Sequence, residues 1–239
     1  MTGEGDGEGR RRMVRLPTAG EETGRSPPKR LKTAKHRTPS SQAWLERQIN
    51  DPFAAQARAK GLRSRAAFKL EEIDDRMHVL KRGARVLDLG CAPGGWIQVA
   101  LARGAGTVVG IDLLHVDPLP PATLIEGDFT DPGCGERLVE LLGGAPDVVL
   151  SDMAPNTMGH RKTDHVRIIG LVEAAADFAI QVLKPGGAFV AKAFQGGETA
   201  DVLRLLKAHF PEVRHIKPKS SRTDSSEVYI VATGLKGGG

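Results

Sequence analysis

Three acidic residues at matched places in the chain carry the first chemical signal. Asp88 lies in Val86-Leu87-Asp88-Leu89, and the chain then turns through Gly90-Cys91-Ala92-Pro93-Gly94-Gly95. Asp112 closes Val108-Val109-Gly110-Ile111-Asp112, and Asp128 closes Ala122-Thr123-Leu124-Ile125-Glu126-Gly127-Asp128. Short apolar runs ending in an acid, the first followed by a glycine turn, match the strand ends of an open α/β sheet, where ligands bind. The glycines allow close backbone approach and positive φ, and the next helix offers free N–H groups. The loop lacks the G-x-G-x-x-G spacing of a dinucleotide site, and Pro93 removes a donor, so a pyrophosphate is disfavoured. Asp112 is suited to two ribose hydroxyls. Asp128 is suited to an adenine amino group, with Phe129 packing on the ring. Taken singly, each acid reads as a cap; three in register with a glycine loop read as a nucleoside-cofactor site.

The elements that must position these residues follow from periodicity. Strands are expected at Val86–Leu89, Val108–Asp112, Ala122–Asp128, Asp147–Asp152, Ala188–Lys192, Val213–Ile216 and Glu227–Ala232. Helices are expected at Trp96–Arg103, Gly135–Leu142, His165–Leu183 and Thr199–His209. This alternation predicts an α/β fold with a mostly parallel sheet of seven strands, covered by helices on both faces. Upstream, the stretch from Ser40 to Glu72 reads as helical, with Ser41 capping a first helix and Phe68, Leu70 and Ile73 pointing inward. It carries Arg47, Arg58, Lys60, Arg63, Arg65 and Lys69, a basic helical face. With Lys217-Pro218-Lys219-Ser220-Ser221-Arg222, that face is suited to gripping phosphates.

Composition bounds the alternatives. Hydrophobic residues make up 40% of the 239-residue chain and aromatics 4%, enough for one aliphatic core plus an appendage. No apolar run is long enough for a membrane span, and no apolar stretch follows Arg10-Arg11-Arg12 as a secretory signal would require. Cys91 and Cys134 cannot make a disulfide framework or a four-ligand zinc site, so reduced cysteines, a cytoplasmic setting and no metal are expected. Residues 1–38 hold ten Lys/Arg against five acids, so this tail accounts for the whole formal charge of +5. Rich in Gly, Arg, Pro and Lys, it reads as a disordered basic tail, either a solvated appendage or an attractor of polyanions. The organisation expected is this tail followed by one domain over 39–239, with a basic helical part at 39–83 and a Rossmann-like core at 84–234.

Four motifs in order give a resemblance. Ser64-Arg65-Ala66-Ala67-Phe68-Lys69-Leu70, Asp88-Leu89-Gly90-Cys91-Ala92-Pro93-Gly94-Gly95-Trp96, Ser151-Asp152-Met153-Ala154-Pro155-Asn156 and Val190-Ala191-Lys192-Ala193-Phe194 resemble the FtsJ/RrmJ (RlmE-type) family of bacterial large-subunit ribosomal RNA 2′-O-ribose methyltransferases. The resemblance runs from about Ser40 to the end and leaves the tail unexplained. It implies a Rossmann-like fold dependent on S-adenosylmethionine (SAM), and transfer of a methyl group to a ribose 2′-hydroxyl of 23S rRNA, in a uridine of the large subunit. It implies a catalytic set of Lys69, Asp152, Lys192 and Glu227, and cofactor contacts at Gly94, Trp96, Asp112, Asp128 and Asp152. A monomer acting on RNA, with no DNA or membrane partner, is expected.

The chemistry asks two things of such a site. In-line placement of the reacting atoms lowers the barrier by several kcal/mol. The weakly acidic hydroxyl must also lose its proton as it attacks. Lys192 is the candidate proton acceptor: a neighbouring Lys69 and partial burial favour its neutral form, while Asp152 and Glu227 oppose it. A charged Lys192 that only steers the hydroxyl is the alternative. The loop Asp152-Met153-Ala154-Pro155-Asn156 has no aromatic to stack an extruded base, which favours sugar over base, and the 2′-hydroxyl then selects RNA. Two competing functions stay open here: a 2′-O-methyltransferase of tRNA or an mRNA cap, and a non-catalytic SAM-binding ribosome-assembly factor.

Overall fold

The computed structural model describes residues 50–154, 161–195, 200–222 and 225–237; of 161–168 only the backbone is described. The expected tail and the helix expected from Ser41 lie outside these residues.

A seven-stranded sheet forms the centre. Its strands are β1 (Arg85–Leu89), β2 (Thr107–Asp112), β3 (Thr123–Glu126), β4 (Val148–Ser151), β5 (Ala188–Phe194), β6 (Glu212–Ile216) and β7 (Glu227–Thr233). The order is β3-β2-β1-β4-β5-β7-β6. The pairs among β1 to β5 are parallel, and β7 runs antiparallel to both β5 and β6. The expected mostly parallel sheet is therefore present, with the single reversal at β7. The order of connection changes direction between β1 and β4, where an open α/β sheet leaves its ligand crevice.

Alternation along the strands divides the core in two. Leu87, Leu89, Val149, Phe189 and Ala191 pack against α4 (Cys134–Leu142), α5 (Arg161–Val182) and α6 (Ala200–His209). Val86, Val108, Leu150, Val190 and Tyr229 face α2 (Ala66–Met77) and α3 (Gly95–Ala102). Lys192 is two residues beyond Val190, so it shares the face toward α2, the helix that carries Lys69.

The expected continuous helical stretch to Glu72 is broken in the structure. Helix α1 (Pro52–Ala59) ends at Lys60, Gly61 takes a positive φ of 68°, and α2 begins only at Ala66. Helix α2 then runs past Glu72 to His78, whose φ of 51° closes it. Its buried Phe68, Leu70 and Ile73 point inward as expected. Each such burial contributes about 1.5–3 kcal/mol, against at most about 1 kcal/mol for an exposed pair such as Arg103–Asp75. Apolar contact therefore holds α2 to the sheet. At the start of α1, Asp51 caps Phe53 and Ala54, with Pro52 in the first helical position. Elsewhere the boundaries move by a few residues. Strand β3 ends at Glu126 rather than Asp128, because Asp128 folds back to accept the Thr130 N–H at 2.9 Å.

Gly90 fixes the turn after β1. Its φ is +74°, and a Cβ there would lie 2.1 Å from Cγ of Met153, in the segment after β4. Gly90→Ala should therefore lower stability by about 2 kcal/mol or more in urea unfolding. Unchanged stability would show that this contact does not fix the loop.

Candidate active site

The ends of β1, β2, β3 and β4 surround a cavity of about 720 Å³, within the range usual for small-molecule sites. Gly90, Asp112, Asp128 and Asp152 all line it. Asp112 Oδ2 accepts the Ala92 N–H at 2.8 Å and Oδ1 the Leu114 N–H at 2.8 Å. Its carboxylate thus fixes the glycine loop and keeps further lone pairs able to accept hydrogen bonds. Asp128 Oδ1 accepts both the hydroxyl and the N–H of Thr130, at 2.7 and 2.9 Å. These bonds, the hydroxyl's first, hold its carboxyl below the usual range.

Phe129 lines the cavity, but its ring packs edge-on against Phe178 with centroids 5.5 Å apart. It therefore joins the wall of the cavity to the core behind it. Leu113 and Leu114, 68% and 66% exposed, add apolar surface to the same cavity. The sequence reading missed them; two leucines directly after a strand-end acid were the available signal. Asp88 sits behind the cavity, fully buried, with neither carboxyl oxygen hydrogen-bonded among the described residues. Burial first, then the charges of Asp152 and Asp112, raise its proton affinity well above a normal carboxyl's.

Gly94 and Trp96 are placed differently from the acids. Neither lines the cavity. Trp96 is 3% exposed, donates Nε1–H to the Ala66 carbonyl at 2.9 Å and lies 5.7 Å from the Tyr229 ring. Its side chain supports α2. Only its backbone N–H, in the first turn of α3 and without an intrahelical partner, is left for a ligand.

The four residues of the implied catalytic set come together on the α2 face of the sheet. Lys69 Nζ is 2.8 Å from Glu227 Oε2. Lys192 Nζ donates to the Asp152 carbonyl at 2.5 Å and lies 3.2 Å from Asp152 Oδ1. Register explains the meeting: Lys192 pairs with Tyr229 across β5 and β7, and Glu227 is two residues from Tyr229 on the same face. Tyr229 joins the two ion pairs. Its hydroxyl donates to Asp152 Oδ1 at 2.7 Å, and its ring lies 5.7 Å under Lys69 Nζ. Burial first, then the charges of Asp152 and Glu227, raise the tyrosine's pKa well above normal, so it remains a donor. Ser221 adds a hydroxyl to Glu227 Oε1 at 2.8 Å. Neither Tyr229 nor Ser221 was singled out from sequence: strand pairing brings Tyr229 here, and the segment between β6 and β7 brings Ser221.

Of the basic face expected over 47–69, Arg47 lies outside the described residues and the rest is divided. Arg58 and Lys60 are exposed. Arg63, Arg65 and Lys69 turn inward: Arg65 pairs with Asp51 and reaches the Ser220 carbonyl, and Lys69 is held by Glu227. Arg222 also binds Asp51, at 3.2 Å. Lys217 and Lys219 remain exposed.

The model of the FtsJ-like methyltransferases matches residues 62–235. The chain belongs to the FtsJ-like methyltransferase family. It is 68% identical over 225 residues to a protein of Caulobacter sp. (strain K31) named ribosomal RNA large subunit methyltransferase E, covering 94% of this chain and 100% of that one. A Gluconobacter oxydans protein of the same name is 57% identical over 92% of this chain and 82% of its own length. Among solved structures, a Plasmodium falciparum protein described as a ribosomal RNA methyltransferase superposes with a TM-score of 0.66 at 33% identity, covering 74% of this chain and 100% of that one. As an FtsJ-like methyltransferase the chain uses SAM, and the cavity's acids, its exposed leucines and the free N–H groups of α3 suit a nucleoside bearing an amino acid.

Two outcomes are expected of these residues. Asp112→Ala should weaken SAM binding by about tenfold or more in calorimetry, the loss of charge-assisted hydrogen bonds; unchanged affinity would place the ribose elsewhere. For Glu227, burial raises the carboxyl's pKa, but Lys69, its bond, the Ser221 bond and Lys192 outweigh this and hold it below 4.5. A depressed carboxyl stabilises the fold above its unfolded pKa, and that stability is lost as pH falls through the folded value. The stability gap between wild type and Glu227→Gln should therefore be constant above about pH 5.5 and close below about pH 4. A gap independent of pH from 3 to 7 would contradict the ion pair.

Proposed function

We propose that this protein transfers the methyl group of SAM to a ribose 2′-hydroxyl of 23S rRNA, a uridine's, in the large ribosomal subunit, acting as a cytoplasmic monomer. The observation that supports this most directly is the double role of Asp152. It lines the cavity where the cofactor's acids converge, and it holds Lys192 and Tyr229 of the polar set beside that cavity. Donor and acceptor chemistry therefore meet at one side chain.

Asp112, Asp128 and Asp152, with the backbone N–H of Trp96, bind SAM, which supplies a methyl group already activated on a sulfonium; Gly94 shapes the loop, its N–H and carbonyl being bonded to Cys91 and Gln98. What remains for the protein is to place the hydroxyl and take its proton. Lys192 is the proton acceptor, its Nζ aimed by the Asp152 carbonyl and carboxylate. Lys69 and Glu227 form the second pair, which orients the ribose and balances charge around Lys192. Tyr229 keeps the two pairs in one register. Exposed Arg58, Lys60, Lys217 and Lys219 contact phosphates, and the 2′-hydroxyl distinguishes RNA from DNA. The names of the relatives, ribosomal RNA large subunit methyltransferase E, support the choice of substrate.

The test is single-turnover transfer of labelled methyl from saturating SAM to large subunits from a strain deleted for the gene. Lys192→Ala should slow the step by about 100-fold or more while SAM affinity stays within a few-fold. A near-normal rate would remove Lys192 from proton transfer, and no label in 23S rRNA with wild-type protein would overturn the substrate.

A further inference from the structure

The segment between α1 and α2 carries an arginine that the phosphate-gripping reading assigned to RNA and that the structure directs elsewhere. Arg63 Nη1 donates to the Asp117 carbonyl at 2.7 Å and to the Pro93 carbonyl at 3.2 Å, and Nη2 donates to the Pro118 carbonyl at 2.8 Å. Pro93 belongs to the glycine loop after β1; Asp117 and Pro118 belong to the segment after β2. Those two loops carry Ala92 on one side of the cavity and Asp112, Leu113 and Leu114 on the other.

The rest of the arginine is fixed as well. Its backbone N–H donates to Gln98 Oε1 at 2.7 Å, and Gln98 Nε2 returns a bond to the Gly61 carbonyl at 3.1 Å. Gln98 lies on α3, directly after the glycine loop. The guanidinium rests on Gly94, where a Cβ would come within 3.0 Å of Nη1. A glycine there, at a φ of +104°, leaves room for the contact. Next to it, a Cβ on Gly95 would lie 2.3 Å from Ser64 Oγ, so the whole segment is seated on the loop.

We infer that Arg63 is a positioning residue for the methyl donor: its guanidinium ties the two strand-end loops together and so sets the width of the SAM cavity. This rests on the reading of that cavity as the SAM site. The chemistry selects arginine. A planar fork with donors on two nitrogens reaches carbonyls on separate loops at once, whereas a lysine offers one point charge. Carbonyl oxygens satisfy a cation without a counter-charge, so the tie holds without competing with the cavity's acids. Asp112 fixes the same two loops from inside the cavity through Ala92 and Leu114. Arg63 does so from outside, and losing it leaves Asp112 as the sole side-chain tie between them among the hydrogen bonds described.

The experiment measures SAM affinity by calorimetry, and KM for SAM and for large subunits separately, in Arg63→Ala and Arg63→Lys, with Asp112→Ala alongside. Arg63→Ala should weaken SAM binding by about tenfold, the effect of losing hydrogen bonds from a charged donor, with KM for the subunit within twofold. Arg63→Lys should recover part of the loss, since one carbonyl stays within reach. A raised KM for the subunit with SAM affinity unchanged would overturn the inference and return Arg63 to the RNA surface; no change in either would also overturn it. If Arg63→Ala does not fold, Arg63→Lys alone decides by the same two constants. If Asp112→Ala binds SAM normally, the cavity reading fails; if Asp112→Ala is weakened and Arg63→Ala is not, only the Arg63 inference fails.

Discussion

Asp152 stands just past β4, where the connection order of the sheet reverses, and its side chain serves two sites at once. It forms part of the wall of the cavity at the strand ends, and its Oδ1 accepts the Tyr229 hydroxyl and lies 3.2 Å from Lys192 Nζ. Much of the remaining architecture serves to bring three strands and one helix to that point. The antiparallel entry of β7 puts Tyr229 opposite Lys192, and α2 brings Lys69 down onto Glu227. A parallel β7 in the same place would reverse its direction and carry Glu227 to the other end of β5.

The polar set survives burial because its charges are paired. Lys69 is nearly buried, and the Glu227 carboxylate beside it is fixed by a lysine and a serine. Removing one partner would leave a buried charge uncompensated, costing about 3–5 kcal/mol. Asp88 takes the other course. With no partner among the described residues, and with Asp112 and Asp152 nearby, it favours its neutral form.

Much of the fold could be read from the chain because its strands are short, continuously apolar and punctuated by acids and glycines. Asp112 and Asp128 could be singled out for the same reason, since an acid after a short apolar run is a local signal; Asp152 was implied only by the family resemblance, and all three line one cavity. The break at residues 60–65 lies between alanine-rich helix-forming runs, and its one local signal was Gly61, which takes the positive φ that ends the first helix. The inward turn of Arg63, Arg65 and Lys69 was hidden, since a basic residue on a helix reads as solvated until its partners are known. Those partners are the Asp117 carbonyl, Asp51 and Glu227, far away or facing from another element. Tyr229 was invisible as a functional group because a tyrosine inside an apolar strand reads as core. Phe129, expected to pack on a base, lines the cavity and also packs against Phe178, a contact the sequence did not show.

In the proposed reaction one carboxylate, that of Asp152, joins the donor site to the acceptor site. Asp152→Asn keeps the shape and removes the charge. SAM affinity by calorimetry and the single-turnover methylation rate of large subunits at saturating SAM should both fall in this variant, the rate by about 100-fold or more. A variant that binds SAM weakly yet reacts at the wild-type rate once saturated would confine Asp152 to the cofactor wall and contradict the account.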